Sequence, residues 1–213
     1  MTLAIELQTQ RESFLSHVPE STQTLMQQAT SALEQSGLLE KSLKVGDSIP
    51  DFALPNATGE TVSMRDLLAN GPVVLAFYRG GWCPYCNLEL RALQQALRSI
   101  RDTGATLVAI SPETPDNSLT TQEKNHLEFP VLSDADNQVA RDFGLVFQLP
   151  AALLPIYEGF GIELTAYNGN DHFELPIPAT YVVRQDGVIQ YAFADVDYTK
   201  RAEPSEIVKA LQA

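Results

Sequence analysis

The chain has 213 residues, 44% of them hydrophobic, and carries 27 acidic against 14 basic side chains for a net charge of −13. That length suits one domain with an appendage, and that apolar content excludes an intrinsically disordered chain. So acidic a surface opposes nucleic acid and anionic membranes, both of which are recognised through Lys and Arg, and no stretch reaches the ~20 apolar residues of a bilayer span.

Residues 1–8, Met-Thr-Leu-Ala-Ile-Glu-Leu-Gln, have no basic n-region and no long apolar h-region, so the expectation is a soluble, cytoplasmic protein. Residues 1–42 read as an all-helical arm. Phe14, Leu15 and Val18 form one apolar patch, Pro19 breaks the chain, and Leu25, Ala29, Ala32 and Leu33 line a second helix that Gly37 ends. Such helices do not bury their stripes alone. The expected destination is the main domain or a second copy, with a homodimer favoured.

From Leu43 the texture changes, and 43–213 reads as one α/β domain. Gly- and Pro-punctuated residues 45–55 lead into a hairpin-like 56–63, a short helix at 64–69 and an apolar strand at 73–78. The next helix carries Leu90, Leu93, Leu97 and Ile100 on one stripe and ends near Gly104. A buried strand at 106–110, a helix at 116–126, a short strand at 129–132 and a helix at 136–143 follow. The segment 145–177 is a long excursion, placed either to cover a site or to form an interface. Strands at 179–183 and 188–193 flank the turn signal Gln185-Asp-Gly187, and a last helix covers 204–211. Strands alternating with helices imply an α/β sheet, to which the closing hairpin adds antiparallel strands.

Both cysteines lie in Phe77-Tyr-Arg-Gly-Gly-Trp-Cys83-Pro-Tyr-Cys86, at a strand-to-helix junction. In a reducing compartment such a pair reads as a redox dithiol rather than a staple. The thiolate is the nucleophile, and a helix N-terminus helps a thiol ionise. Cys83 falls at that terminus with Pro84 at the first helical position, where a missing N–H costs nothing. Cys86 lies one turn on, behind Tyr85, placed to resolve a bond formed at Cys83. Cys83 is the expected nucleophile and the more exposed of the two.

Arg79 is either a source of positive potential or a solvated loop charge. Gly80 and Gly81 permit a tight turn and close approach by a substrate, and Trp82 reads as a half-buried aromatic beside them. Zinc needs about four ligands, and His17, His126 and His172 are isolated from the pair. No metal and no cofactor are expected. Phosphate-cradling glycines, a G-x-S-x-G elbow and H-E-x-x-H do not occur.

Several stretches together resemble the thioredoxin superfamily, specifically the peroxiredoxin-like branch of the alkyl hydroperoxide reductase/thiol-specific antioxidant family. They are Val45–Pro55, the strand Val73–Tyr78, Val108–Pro112, Phe129–Asp134, Val139–Gly144 and Ile177–Val183 with Gln185-Asp-Gly187. The resemblance covers about 43–213. It implies a thioredoxin-like fold, a mixed central sheet flanked by helices, and reduction of peroxides through a Cys83/Cys86 dithiol–disulfide cycle. The implied electron donor is a thiol: thioredoxin, glutaredoxin or glutathione. Cys-Pro-Tyr-Cys is similar to the glutaredoxin dithiol, and Trp82-Cys83 to that of thioredoxin. In the family's P-x-x-x-T/S-x-x-C, Ala76 holds the proline place and Gly80 the threonine place. Pro178 stands where the family has an arginine and resembles the thioredoxin cis-proline, so a cis Ile177–Pro178 bond against the dithiol is expected. Without the two usual donors any peroxidase activity is expected to be slow, with backbone N–H groups at 81–84 and Arg79 compensating in part. A disulfide oxidoreductase is the alternative, and a non-catalytic redox sensor or interaction module the third reading.

Overall fold

The computed structural model describes residues 2–213; Met1, the first residue of the arm, lies outside them. The arm opens with α1 (Leu3–His17) and α2 (Glu20–Gln35), divided at Pro19, and closes with one turn, α3 (Leu38–Lys41), beyond Gly37 at φ 70°. Two short strands, β1 (Ala53–Pro55) and β2 (Thr61–Ser63), form the early hairpin. Its turn is closed by Asn56, whose Oδ1 accepts from the Thr58 and Glu60 N–H groups. Then come α4 (Met64–Asn70), β3 (Val73–Phe77), α5 (Pro84–Arg101), β4 (Thr106–Ser111), α6 (Pro115–Lys124), β5 (Val131–Ser133) and α7 (Gln138–Asp142). The excursion is a small ribbon of β6 (Val146–Gln148) and β7 (Glu174–Pro176), carrying at its tip a 3₁₀ turn (Ala151–Leu153), α8 (Leu154–Gly159) and α9 (Leu164–Asn168). The chain ends with the hairpin β8 (Ala179–Val183) and β9 (Ile189–Ala194), followed by α10 (Pro204–Leu211).

The central sheet has the order β5-β4-β3-β8-β9. β3, β4 and β5 run parallel; β8 and β9 run antiparallel to their neighbours. This is the mixed sheet flanked by helices that the alternation of elements predicts. β3 is buried throughout. Val74 and Ala76 face the stripe Leu90, Leu93, Leu97 and Ile100 of α5, while Val73, Leu75 and Phe77 face Phe143 and Tyr181. The period-2 alternation of a strand thus feeds two cores, one on each face of the sheet. A third cluster, Leu149, Leu153, Tyr157, Leu164 and Leu175, lies within the excursion and packs on Met26 and Ala29 of α2.

The arm departs from expectation in its facing. Leu3 and Leu7 are its buried residues, part of the core around α5. Leu25 and Leu15 stay about 40% exposed. α2 turns Met26 and Ala29 toward the excursion and Leu33 toward one core of the central sheet, and no α2 residue is fully buried. The Ile177–Pro178 bond corrects a second expectation: no cis peptide bond occurs among the described residues. The chain runs in one extended line from β7 to β8, with the Ile177 N–H donating to the Leu145 carbonyl, and Pro178 spans the gap between the two ladders.

Leu7 ties α1 to the core from one turn away from its free end. Leu7→Ala should cost roughly 2–4 kcal/mol in urea unfolding. A variant as stable as the parent would mean that α1 is held by other contacts.

Candidate active site

The loops that follow β3 and β4 leave the same edge of the sheet, and the dithiol lies in the first of them. Cys83 caps α5 in extended conformation, with Pro84 at the first helical position. The turn before it is clamped from three directions. Glu113, beyond β4, accepts the Gly81 N–H at 2.9 Å. Asn87 Nδ2 donates to the Gly81 and Cys83 carbonyls. The Cys83 N–H donates to the Gly80 carbonyl at 3.1 Å. Gly80 sits at φ 152° with the Trp82 indole where a Cβ would stand, and Gly81 lies directly on the Thr121 hydroxyl, so neither accepts a side chain without displacement.

Arg79 points inward and is 5% exposed. Its Nη2 donates to Cys83 Sγ at 3.3 Å and its Nη1 to the Tyr157 hydroxyl at 2.9 Å. The guanidinium carbon lies 4.9 Å from the Trp82 ring centroid and 4.3 Å from that of Tyr198. Arg201, from the loop before α10, is the counterpart at the second sulfur. Its Nη2 donates to Cys86 Sγ at 3.1 Å and its Nε to Glu89 at 2.5 Å, while Nη1 donates to the Tyr198 and Lys200 carbonyls. Both side chains of the Arg201–Glu89 pair are buried.

These surroundings separate the two thiols. Burial raises Cys83, but a hydrogen bond with Cys86 and the charges of Arg79 and Arg201 outweigh it and hold Cys83 well below the ordinary thiol range. Burial and the neighbouring Cys83 push Cys86 well above that range. Burial opposes the charge on Arg79, yet Cys83 leads the anionic influences that keep the guanidinium firmly charged. The arrangement therefore offers one thiolate and one thiol, side by side, in a site shielded from water.

The expected site residues converge, with corrections. Cys83 is not the exposed member: both sulfurs are fully buried, because Arg79, Trp82 and Tyr198 cover the helix terminus. Arg79 is buried against Cys83 and is not a solvated charge. Trp82 is half-buried, as expected, and Pro84 is exposed. Tyr85 is buried against Tyr198, ring centroids 5.6 Å apart. Pro178 lines a groove with Arg79, Tyr157 and Tyr198. The backbone donors expected at 81–84 are mostly spent: the Gly81 N–H bonds to Glu113, the Cys83 N–H bonds to the Gly80 carbonyl and Pro84 has none. His17, His126 and His172 stay apart, and among the described residues no group of three or more His, Cys, Asp or Glu side chains could hold a metal ion.

Arg201, Glu89, Glu113, Asn87, Tyr157 and Tyr198 escaped the sequence reading. One signal was available. Glu89 lies three residues after Cys86 and next to Leu90 on the apolar stripe of α5, where a carboxylate requires a buried cation.

A model of the AhpC/TSA family matches residues 45–192. Peroxiredoxin Bcp of Escherichia coli (strain K12) is 33% identical over 103 residues, 48% of this chain and 65% of that protein. A relative from Mycobacterium tuberculosis (strain ATCC 25618 / H37Rv), also bearing a peroxiredoxin name, is 33% identical over 114 residues, 54% of this chain and 74% of that one. Among solved structures, peroxidoxin BcpB from Mycobacterium tuberculosis superposes with a TM-score of 0.63 at 24% identity, covering 80% of this chain and 97% of that one. That likeness establishes the thioredoxin-like fold.

Glu113 gives the site a measurable pH signature. Burial raises it to about 7, against the N–H of Gly81 and the hydroxyls of Thr121 and Tyr78 that favour its ionised form. The folded chain thus holds this proton more tightly than the unfolded chain. The resulting stabilisation is complete below the ordinary carboxylate range and is lost as pH rises through about 7. Urea unfolding of Glu113→Gln between pH 5 and 8 should lack roughly 2–3 kcal/mol of the decline seen in the parent. Identical slopes would assign the titration elsewhere.

Proposed function

From the AhpC/TSA family, to which this chain belongs, we propose a thiol-dependent peroxidase in which Cys83 is the nucleophile and Cys86 the resolving thiol. The observation that carries the assignment is the buried Arg79 guanidinium at 3.3 Å from Cys83 Sγ, which favours the thiolate and aims donors at the same sulfur. The Cys83 thiolate attacks the terminal oxygen of the hydroperoxide, the O–O bond breaks, and the alkoxide leaves with a proton as the alcohol. Cys83 becomes a sulfenic acid. Cys86, giving up its proton, displaces that oxygen as water and closes the disulfide. A thiol donor then reduces the pair by exchange, with thioredoxin, glutaredoxin and glutathione as candidates.

Arg79 supports the chemical step directly. One of its nitrogens, Nε, is buried without a hydrogen-bond partner and is a donor for the oxygen on which charge develops. The family's threonine and arginine places hold Gly80 and Pro178, so Arg79 takes over a duty otherwise shared. Arg201 with Glu89 holds Cys86 in place as the second thiol.

Burial of both sulfurs favours a small oxidant over a protein disulfide. The groove beside Arg79 encloses about 400 Å³, and Arg79 stands between it and Cys83. The trans bond at Pro178 also removes one support for a thioredoxin-type reductase. The arm, residues 1–42, is proposed as an appendage to a domain at 43–213. The exposed side chains Leu15, Leu25 and Phe160 make a homodimer the proposed assembly. No helix among the described residues is long and apolar enough to cross a membrane, and a reduced dithiol suits the cytoplasm.

Stopped-flow oxidation by hydrogen peroxide and an organic hydroperoxide tests the assignment. Cys83→Ser should show no reaction. Cys86→Ser should stop at a sulfenic acid that dimedone traps. Arg79→Gln should slow oxidation roughly 10²-fold, the loss expected for one such donor. Full turnover by Cys83→Ser would reverse the roles of the two cysteines.

A further inference from the structure

The charges around the two sulfurs balance in only one redox state. The buried cations are Arg79 and Arg201, and Glu89 is ion-paired with Arg201. Among the described residues no Asp or Glu forms an ion pair with Arg79. Glu113 is committed to Gly81, Tyr78 and Thr121. The anion beside Arg79 is therefore the Cys83 thiolate. The cycle proposed above consumes it: thiolate, thiol, hydroperoxide and one proton become disulfide, alcohol and water. The oxidised protein keeps a positive charge at Arg79, 5% exposed, with no anion to face it. An uncompensated buried charge is strongly unfavourable.

The groove of about 400 Å³ reaches Arg79 and is lined mainly by apolar side chains. That volume falls in the range of small-molecule sites. Lys41 also lines it, and no Asp or Glu does, in a chain of net charge −13. Nε of Arg79 has no hydrogen-bond partner. Cationic, acid-free and greasy, the groove is complementary to an anion on a hydrocarbon chain.

We propose that Arg79 becomes a binding site for an aliphatic carboxylate when the dithiol is oxidised, with the carboxylate against the guanidinium and the chain along Met26, Leu33, Phe147 and Leu149. The inference rests on the Cys83–Cys86 disulfide cycle. The reduced protein disfavours the ligand because the thiolate already neutralises Arg79. Redox state and carboxylate binding are then linked: a ligand that prefers the disulfide form stabilises that form by mass action.

Trp82 is the sole tryptophan and lies beside Arg79, so its emission reports on the site. The experiment titrates octanoate into the full chain, once fully reduced and once peroxide-oxidised, with octanol and acetate as probes lacking the charge or the chain. Mass spectrometry of the oxidised sample records whether the disulfide has formed. Octanoate should bind the oxidised protein at least tenfold more tightly than the reduced one, and more tightly than octanol or acetate. Octanoate at ten times its dissociation constant for the oxidised protein should shift the dithiol–disulfide equilibrium in glutathione buffer about fivefold or more toward the disulfide. Arg79→Gln should lose the redox dependence. A disulfide that forms but leaves octanoate binding absent, or equal in the two states, overturns this inference and leaves the peroxidase reading standing. So does binding by octanol as tight as by octanoate. A protein in which peroxide forms no disulfide overturns both.

Discussion

A buried guanidinium against a buried sulfur governs this molecule. Arg79 is the cation and Cys83 its partner, 3.3 Å away. Taking a charge out of water costs several kcal/mol unless a counter-charge and hydrogen bonds replace the solvent. Here the replacement comes from four parts of the chain: the Cys83 sulfur, the Tyr157 hydroxyl of the excursion, the Trp82 indole of the turn and the Tyr198 ring before α10. Electrostatics thereby organises the architecture, because each of these groups must be brought to one point.

That requirement explains features that look like ornament. The excursion from β6 to β7 folds around its own small core so that Tyr157 reaches Arg79. The arm covers the excursion in turn, since Met26 and Ala29 of α2 complete the same core. The turn between β3 and α5 cannot hold its shape through side chains at positions 80 and 81, where no Cβ fits. Glu113 and Asn87 hold it instead by its backbone. Glu113 accepts this duty while buried, and burial is what raises its affinity for a proton.

Much of the framework was legible in the sequence because it depends on local periodicity. The apolar run at 73–77, the stripe on α5 and the Asp-Gly turn at 186–187 need nothing beyond their own segments. The dithiol was legible for the same reason, as two cysteines at a strand-to-helix junction. What stayed hidden depends on contacts between distant segments. Arg201 stands in an unremarkable loop, and only the folded chain brings it to Cys86. The facing of α2 depends on the excursion against which Met26 and Ala29 pack, so Leu25 of the expected stripe stays exposed. Pro178 shows a different limit. A resemblance to the thioredoxin proline carries an expectation about a bond, but in this chain the bond between β7 and β8 is trans.

The two sulfurs differ in ionisation rather than in exposure, since both are fully buried. Each has an arginine at hydrogen-bond distance, so one arginine apiece cannot by itself tell them apart. Burial raises both, and their mutual contact supplies the difference: a hydrogen bond with Cys86 lowers Cys83, and Cys83 in turn raises Cys86. Glu89 pairs with the buried Arg201, and Arg201 still favours the ionised form of both sulfurs. Arg79 donates to Cys83 and likewise favours both thiolates. A second thiolate next to the first would be buried and repelled by Cys83, which outweighs the pull of both arginines, so Cys86 retains its proton. The two arginines supply the field, and the contact between the sulfurs decides which of them is ionised.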